Sequence, residues 1–267
     1  MYRLCLLCGL FFAACAAHRL TLPSGPGAPF DQFQQAFDEA TASCRAVRTL
    51  TAELRLGGRA GRERLRGRLL AGLAEPASMR LEALAPFGPP AFILVGSADR
   101  ATLLLPKDDL VLRNERPAGV LNALAGLALQ PDDLRVALTG CATTAAAARS
   151  GRSYQGGWVA LDANRATLYV KKVEGRWRTL AAQKGDWRVE YGEWLNGIPR
   201  RVRFSTGPQA SSAGVTIDLE VEVIDLQTNV TLDARTFELD VPASARPLTL
   251  DELRRLGPLG ADRGRTR

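Results

Sequence analysis

The chain has 267 residues, 46% hydrophobic and 24% charged, enough to bury one large core or two small ones and too apolar for a disordered polymer. Its single histidine, His18, lies ahead of any periodic segment. That removes Ser-His-Asp and Cys-His hydrolases and histidine-built metal sites, and no GxxxxGK[ST] or GxGxxG loop is present. With no catalytic residue, metal site or cofactor motif in view, the expected class is a binding or transport protein rather than an enzyme. Lys and Arg number 35 against 28 Asp and Glu, a net charge of +7. The densest basic run, Arg59 to Arg68, has no interleaved aromatics, so nucleic acid is not an expected partner. The run suits a solvated strand face or a surface beside anionic lipid.

Residues 1–17 read MYRLCLLCGLFFAACAA, with one positive charge at Arg3 followed by 11 apolar or small residues from Leu4 to Ala14. This is the pattern of an export signal, and the run is well short of the roughly 20 residues that span a bilayer. Phe12-Ala13-Ala14-Cys15 resembles the bacterial lipobox, so residues 1–14 are expected as signal peptide and Cys15 as the lipidated first residue of the mature protein. Ordinary cleavage near the same small residues is the alternative. Ala16 after the cysteine, in place of aspartate, favours the outer membrane. Residues 15–29, rich in Pro, Gly, Ser and Ala, are expected to form a flexible tether.

Phe30, Phe33, Phe37, Ala40, Cys44 and Val47 recur at helical spacing and predict an amphipathic helix over 30–48. From Thr49 the period falls to two, and Gly57-Gly58 reads as the following turn. Further strands are expected at 62–73, 77–85, 91–96, 100–105 and 109–114. Pro117 to Thr139 returns to helical periodicity, with Pro131-Asp132-Asp133 opening a second short helix. Strands resume at 154–161, 166–173, 177–182, 186–194, 199–205 and 215–226, followed by a tail at 237–241 and a short helix over 249–256. The fold class is therefore mainly β with some α: an unclosed antiparallel half-barrel of about 11 strands, with an N-terminal amphipathic helix and a helical lid or plug. The half-barrel occupies residues 30–245 and a basic tail residues 246–267. A lipid-spanning barrel is disfavoured, because Arg201, Arg203, Glu220 and Glu222 would face the hydrocarbon. Once residues 1–14 are removed and Cys15 is acylated, Cys44 and Cys141 remain, either as a disulfide or as two buried thiols.

One block carries a family likeness. Met79-Arg80-Leu81-Glu82-Ala83-Leu84-Ala85-Pro86-Phe87-Gly88, the helical insert Leu121-Asn122-Ala123-Leu124-Ala125-Gly126-Leu127-Ala128-Leu129, and Pro131-Asp132-Asp133-Leu134-Arg135 resemble LolB, the outer-membrane receptor of the LolA/LolB-like lipoprotein family. The likeness runs on through Trp187 to Gly192 and Ile198 to Val202, over most of residues 30–230. It implies an unclosed barrel with a helical lid that shelters the acyl chains of lipoproteins, takes them from a periplasmic lipoprotein carrier, and delivers them to the outer membrane as a lipid-anchored monomer. The expected concave lining is Leu54, Leu81, Leu103, Leu124, Leu168, Val202 and Leu219. Pro86, Phe87 and Gly88 correspond to the loop whose apolar tip serves delivery; taken alone, Phe87 could equally fold back onto the core. Two other roles fit the same fold, a structural adaptor in an envelope assembly and a soluble carrier of LolA type. Residues 233–267 extend beyond the family's usual core.

Overall fold

A computed structural model describes residues 19–206 and 216–257. The signal sequence, Cys15 and the end of the basic tail lie outside them. Two antiparallel meanders build the molecule. The first comprises β2 (Thr49–Ala60), β3 (Glu63–Ala74), β4 (Ser78–Leu84), β5 (Phe92–Gly96), β6 (Ala101–Leu105) and β7 (Leu110–Glu115). The second comprises β8 (Ser150–Ser153), β9 (Trp158–Ala163), β10 (Ala166–Val173), β11 (Arg176–Lys184), β12 (Trp187–Leu195), β13 (Ile198–Thr206) and β14 (Ile217–Thr228). The last strand, β14, pairs with β2 over nearly its whole length, so both meanders belong to one sheet. Two-residue strands finish the edges: β1 (Ala28–Pro29) beside β8, and β15 (Arg246–Pro247) parallel to β7. Among the described residues the sheet thus has 15 strands and does not close, against about 11 expected. The additions are mostly short strands with no periodicity of their own. Proline at both edges withholds an N–H and blunts the edge.

Helix α1 (Phe33–Arg45) packs Ala36 and Phe37 into the core. Helices α2 (Pro117–Ala125) and α3 (Pro131–Thr139) connect the meanders, each opened by proline and closed by a left-handed glycine, Gly126 or Gly140. Helix α4 (Leu250–Leu256) buries Leu253 and packs against α2. Inward residues of both meanders and the apolar faces of these helices form one hydrophobic cluster.

Three sequence expectations are corrected. Gly57-Gly58 does not turn the chain: β2 continues to Ala60, and the turn falls at Gly61 and Arg62. Gly58, at φ +138°, lets the ladder continue where any Cβ would strike the Asp218 carbonyl. The stretch expected as one strand over 154–161 is divided by a 3-10 turn at Gln155–Gly157 between β8 and β9. After β14 a 3-10 turn at Ala234–Phe237 leads into irregular chain, held by the Arg80 guanidinium donating to the carbonyls of Thr236 and Glu238 at 3.2 and 2.9 Å. The described part of the expected tether, residues 19–29, is laid on the sheet. Arg19 donates to Asp218 at 2.9 Å, the Leu20 N–H donates to Glu190, and the Tyr154 hydroxyl donates to the Gly25 carbonyl.

Candidate lipid-facing site

The inner face is built from leucine ladders. Across the first meander, Ala71, Leu81, Leu94, Leu103 and Leu112 stand side by side on successive strands. Across the second, Leu161, Leu168, Ala182, Val189, Phe204 and Leu219 do the same. Leu161 joins this row as the register partner of Leu168. Strict alternation places these side chains on one face, while Glu82, Arg188 and Glu220 occupy the other. Leu54, Leu81, Leu103, Leu168, Val202 and Leu219 all lie on the inner face, and Leu124 of α2 meets them from within.

These residues form a packed interior. Helices α2 and α3 lie in the concavity, and every one of the seven is buried. Polar interruptions are few. The Tyr191 and Thr179 hydroxyls are buried without a hydrogen-bond partner. Burial pushes the Tyr191 phenol far above its ordinary range, so it stays neutral and can donate or accept. Neither residue stood out in the sequence, because an inward tyrosine in an alternating strand looks like any aromatic.

Helix α3 is fixed by polar contacts. Cys141, just past its end, is disulfide-bonded to Cys44 of α1, with Cα atoms 5.7 Å apart. Arg135, 5% exposed, donates to the Val47 carbonyl and to Asp132, and pairs with Glu75 at 3.2 Å. Lys184 of β11 pairs with Asp133 at the helix start. Among the described residues, no group of His, Cys, Asp and Glu is arranged to hold a metal ion.

The β4–β5 loop contrasts with this interior. Pro86, Phe87, Gly88 and Pro89 are all exposed, and Phe87 is 93% exposed. The Ala91 N–H donates to the Ala83 carbonyl and closes the loop base, while Gly88 at φ +82° turns the chain. Prolines on both sides remove the freedom the ring would need to swing back. Leaving a phenylalanine side chain in water forgoes about 1.5–3 kcal/mol of burial.

No family model and no curated protein matches the chain. Among solved structures, it is similar to a DUF1329 family protein from Desulfovibrio piger, with 13% identity and a TM-score of 0.49 over 78% of this chain and 98% of that one. It is also similar to an outer membrane lipoprotein-sorting protein domain from Vibrio parahaemolyticus, with 12% identity and a TM-score of 0.45 over 76% and 94%. A LolA superfamily protein from Nitrosomonas europaea gives 10% identity and a TM-score of 0.48 over 79% and 98%.

Proposed function

We propose that this protein receives acylated lipoproteins, or a lipid of similar chemistry, beneath its apolar concave face and delivers them to the outer membrane, where it is itself held by a lipid on Cys15. The observation that carries the reading is Phe87, a large apolar ring held in water by a stiff loop beside a half-barrel with an aliphatic interior. Acyl chains cannot cross water exposed, at about 0.8 kcal/mol per methylene, and an interior of leucine ladders offers them an equivalent medium. Because the interior is filled by its own helices, a ligand has to take the place of one of them; transfer then runs downhill by relative affinity.

Phe87→Glu tests the reading. It should leave thermal stability nearly unchanged while stopping delivery from a loaded carrier to liposomes; a large loss of stability, or unchanged delivery, overturns it. The filled interior also favours a second reading, an envelope adaptor of the same fold. Mass spectrometry of the purified protein separates the two: co-purifying acylated species support the carrier, and a stoichiometric protein partner without them supports the adaptor. Labelled palmitate incorporated at Cys15 distinguishes a receptor from a soluble carrier.

A further inference from the structure

The outer face of the β2–β3 hairpin carries more positive charge than its surroundings neutralise. The register sets Arg55 opposite Arg68 and Arg59 opposite Arg64, with Arg66 opposite Gly57, so five arginines share one exposed face while Leu54 and Leu65 point to the core. Like charges directly opposite on a ladder are unfavourable. Arg55 and Arg68 are answered by Glu222 and Glu53. Arg59, Arg64 and Arg66 form no ion pair among the described residues, and Asp218, Glu220 and Glu222 of neighbouring β14 are already engaged. Asp218, the register partner of Arg59, is bound by Arg203 and Arg19, and Glu220 by Arg201.

Two further observations give this face a direction. A groove of about 720 Å³, lined by Arg55, Arg66, Arg68 and Pro86 and by the ion-paired Glu220 and Glu222, joins the arginines to the base of the Phe87 loop. Arg19, bound to Asp218, sets the start of the described chain beside the same hairpin.

We infer that the arginine face of the β2–β3 hairpin is a docking surface for the anionic headgroups of a phospholipid bilayer, set beside the Phe87 tip so that headgroup and hydrocarbon are met together. Arginine forks match phosphate oxygens bidentately, which suits the residue type present. The inference rests on the reading that Phe87 meets a membrane, and the two can fail separately.

The test measures partition of the full chain onto vesicles of phosphatidylcholine alone and of phosphatidylcholine with phosphatidylglycerol. The ratio of the two cancels the contributions of Phe87 and of any anchor. Wild type should prefer the anionic vesicles, and the preference should shrink as salt rises. The triple variant Arg59→Gln, Arg64→Gln, Arg66→Gln should lower the ratio by about fivefold per residue, roughly a hundredfold in all. Lysine at the same three positions should keep most of it, which guards against misfolding. An unchanged ratio in the glutamine variant overturns the inference. So does a wild type that shows no anionic preference and instead binds duplex DNA through these arginines. Phe87→Ser should weaken binding to both vesicle types and leave the ratio intact; if it binds both like wild type, the delivery reading fails while the ratio still decides the arginines.

Discussion

Helices α2 and α3 are each nine residues long and cover the same concave face, yet they are held by different kinds of force. α3 is stapled by a disulfide, a buried arginine, an ion pair to β11 and a capping box between Gln130 and Asp133. α2 contains no charged residue and has no side-chain cap; it rests against β6 and α4 and buries Val120, Leu121 and Leu124. Directional bonds demand one geometry, whereas apolar burial is non-directional and any apolar body of similar volume satisfies it. The contrast makes α3 the more firmly fixed of the two, and in the carrier proposed above α2 is the element that an acyl chain would have to replace.

The strongest way to break this contrast is to free α3. The disulfide joins residues 97 apart in sequence, and restricting so long a loop in the unfolded chain contributes about 4–5 kcal/mol in the chain-entropy picture. Replacing Cys44 and Cys141 with serine should lower the denaturant midpoint by a matching amount without changing secondary structure by circular dichroism. A loss below about 1 kcal/mol would show that α3 is held mainly by its apolar face, like α2. Arg135→Gln comes next. It strands the Val47 carbonyl and leaves Asp132 and Glu75 without their shared cation, costing about 2–3 kcal/mol in urea unfolding, somewhat relieved because both carboxylates reach water.

The two closing glycines sharpen the comparison, since the same substitution is made at both. Gly126 has φ +75° and Gly140 has φ +95°, so alanine is strained at either by about 1 kcal/mol. The surroundings differ. At Gly126 a new Cβ meets Ile217 Cδ1, the movable end of a flexible side chain. At Gly140 it lies 2.8 and 3.0 Å from Trp194 ring atoms and 3.2 Å from Pro199, all rigid. Gly140→Ala should therefore lose about 2–3 kcal/mol of stability and Gly126→Ala about 1–2. Equal losses would mean that the α3 end yields as readily as the α2 end.

Much of this architecture was legible in the sequence where local pattern and tertiary position agree. The strand read at Ala166–Val173 has those bounds in the structure, and the leucines of the inner face follow from alternation alone. For Phe87 the sequence left an exposed tip and a ring folded onto the core equally open, and the structure puts the ring in water. What escaped depended on partners distant in sequence. β2 outruns Gly57-Gly58 because β14, over 150 residues later, supplies a ladder as far as Ala60. The edge strands at Ala28–Pro29 and Arg246–Pro247 exist only through their neighbours. Arg135 stood in the sequence only as part of the family likeness, and only the fold brings the Val47 carbonyl to it. The uncompensated arginines appeared as a run, but their opposition on two strands required the register.

The smallest expected effect lies in α4, the helix that holds α2 from outside. Its start is a reciprocal box: the Thr249 hydroxyl accepts from the Glu252 N–H, and the Glu252 carboxylate accepts from the Thr249 N–H and hydroxyl, each at 2.8 Å. The Thr249 N–H, then its hydroxyl, hold the Glu252 carboxyl below its ordinary value. A carboxylate depressed in this way contributes stability that is complete above its unfolded pKa and lost as pH falls through its folded pKa. Mild acid should therefore loosen α4 first, and with it the face of α2 that packs against α4, while α3, tied by the disulfide and Arg135, keeps its protection. Hydrogen exchange corrected for intrinsic rates reads this directly: α2 amides should lose protection below the ordinary carboxylate range and α3 amides should not. Thr249→Ala should produce the same selective loss at neutral pH, about 1 kcal/mol at most, as for other N-caps. Glu252→Gln keeps an acceptor in the box and should flatten the pH dependence. If α2 and α3 lost protection together under any of these changes, the two helices would form one cooperative unit, and α2 could not yield to a ligand while α3 stayed in place.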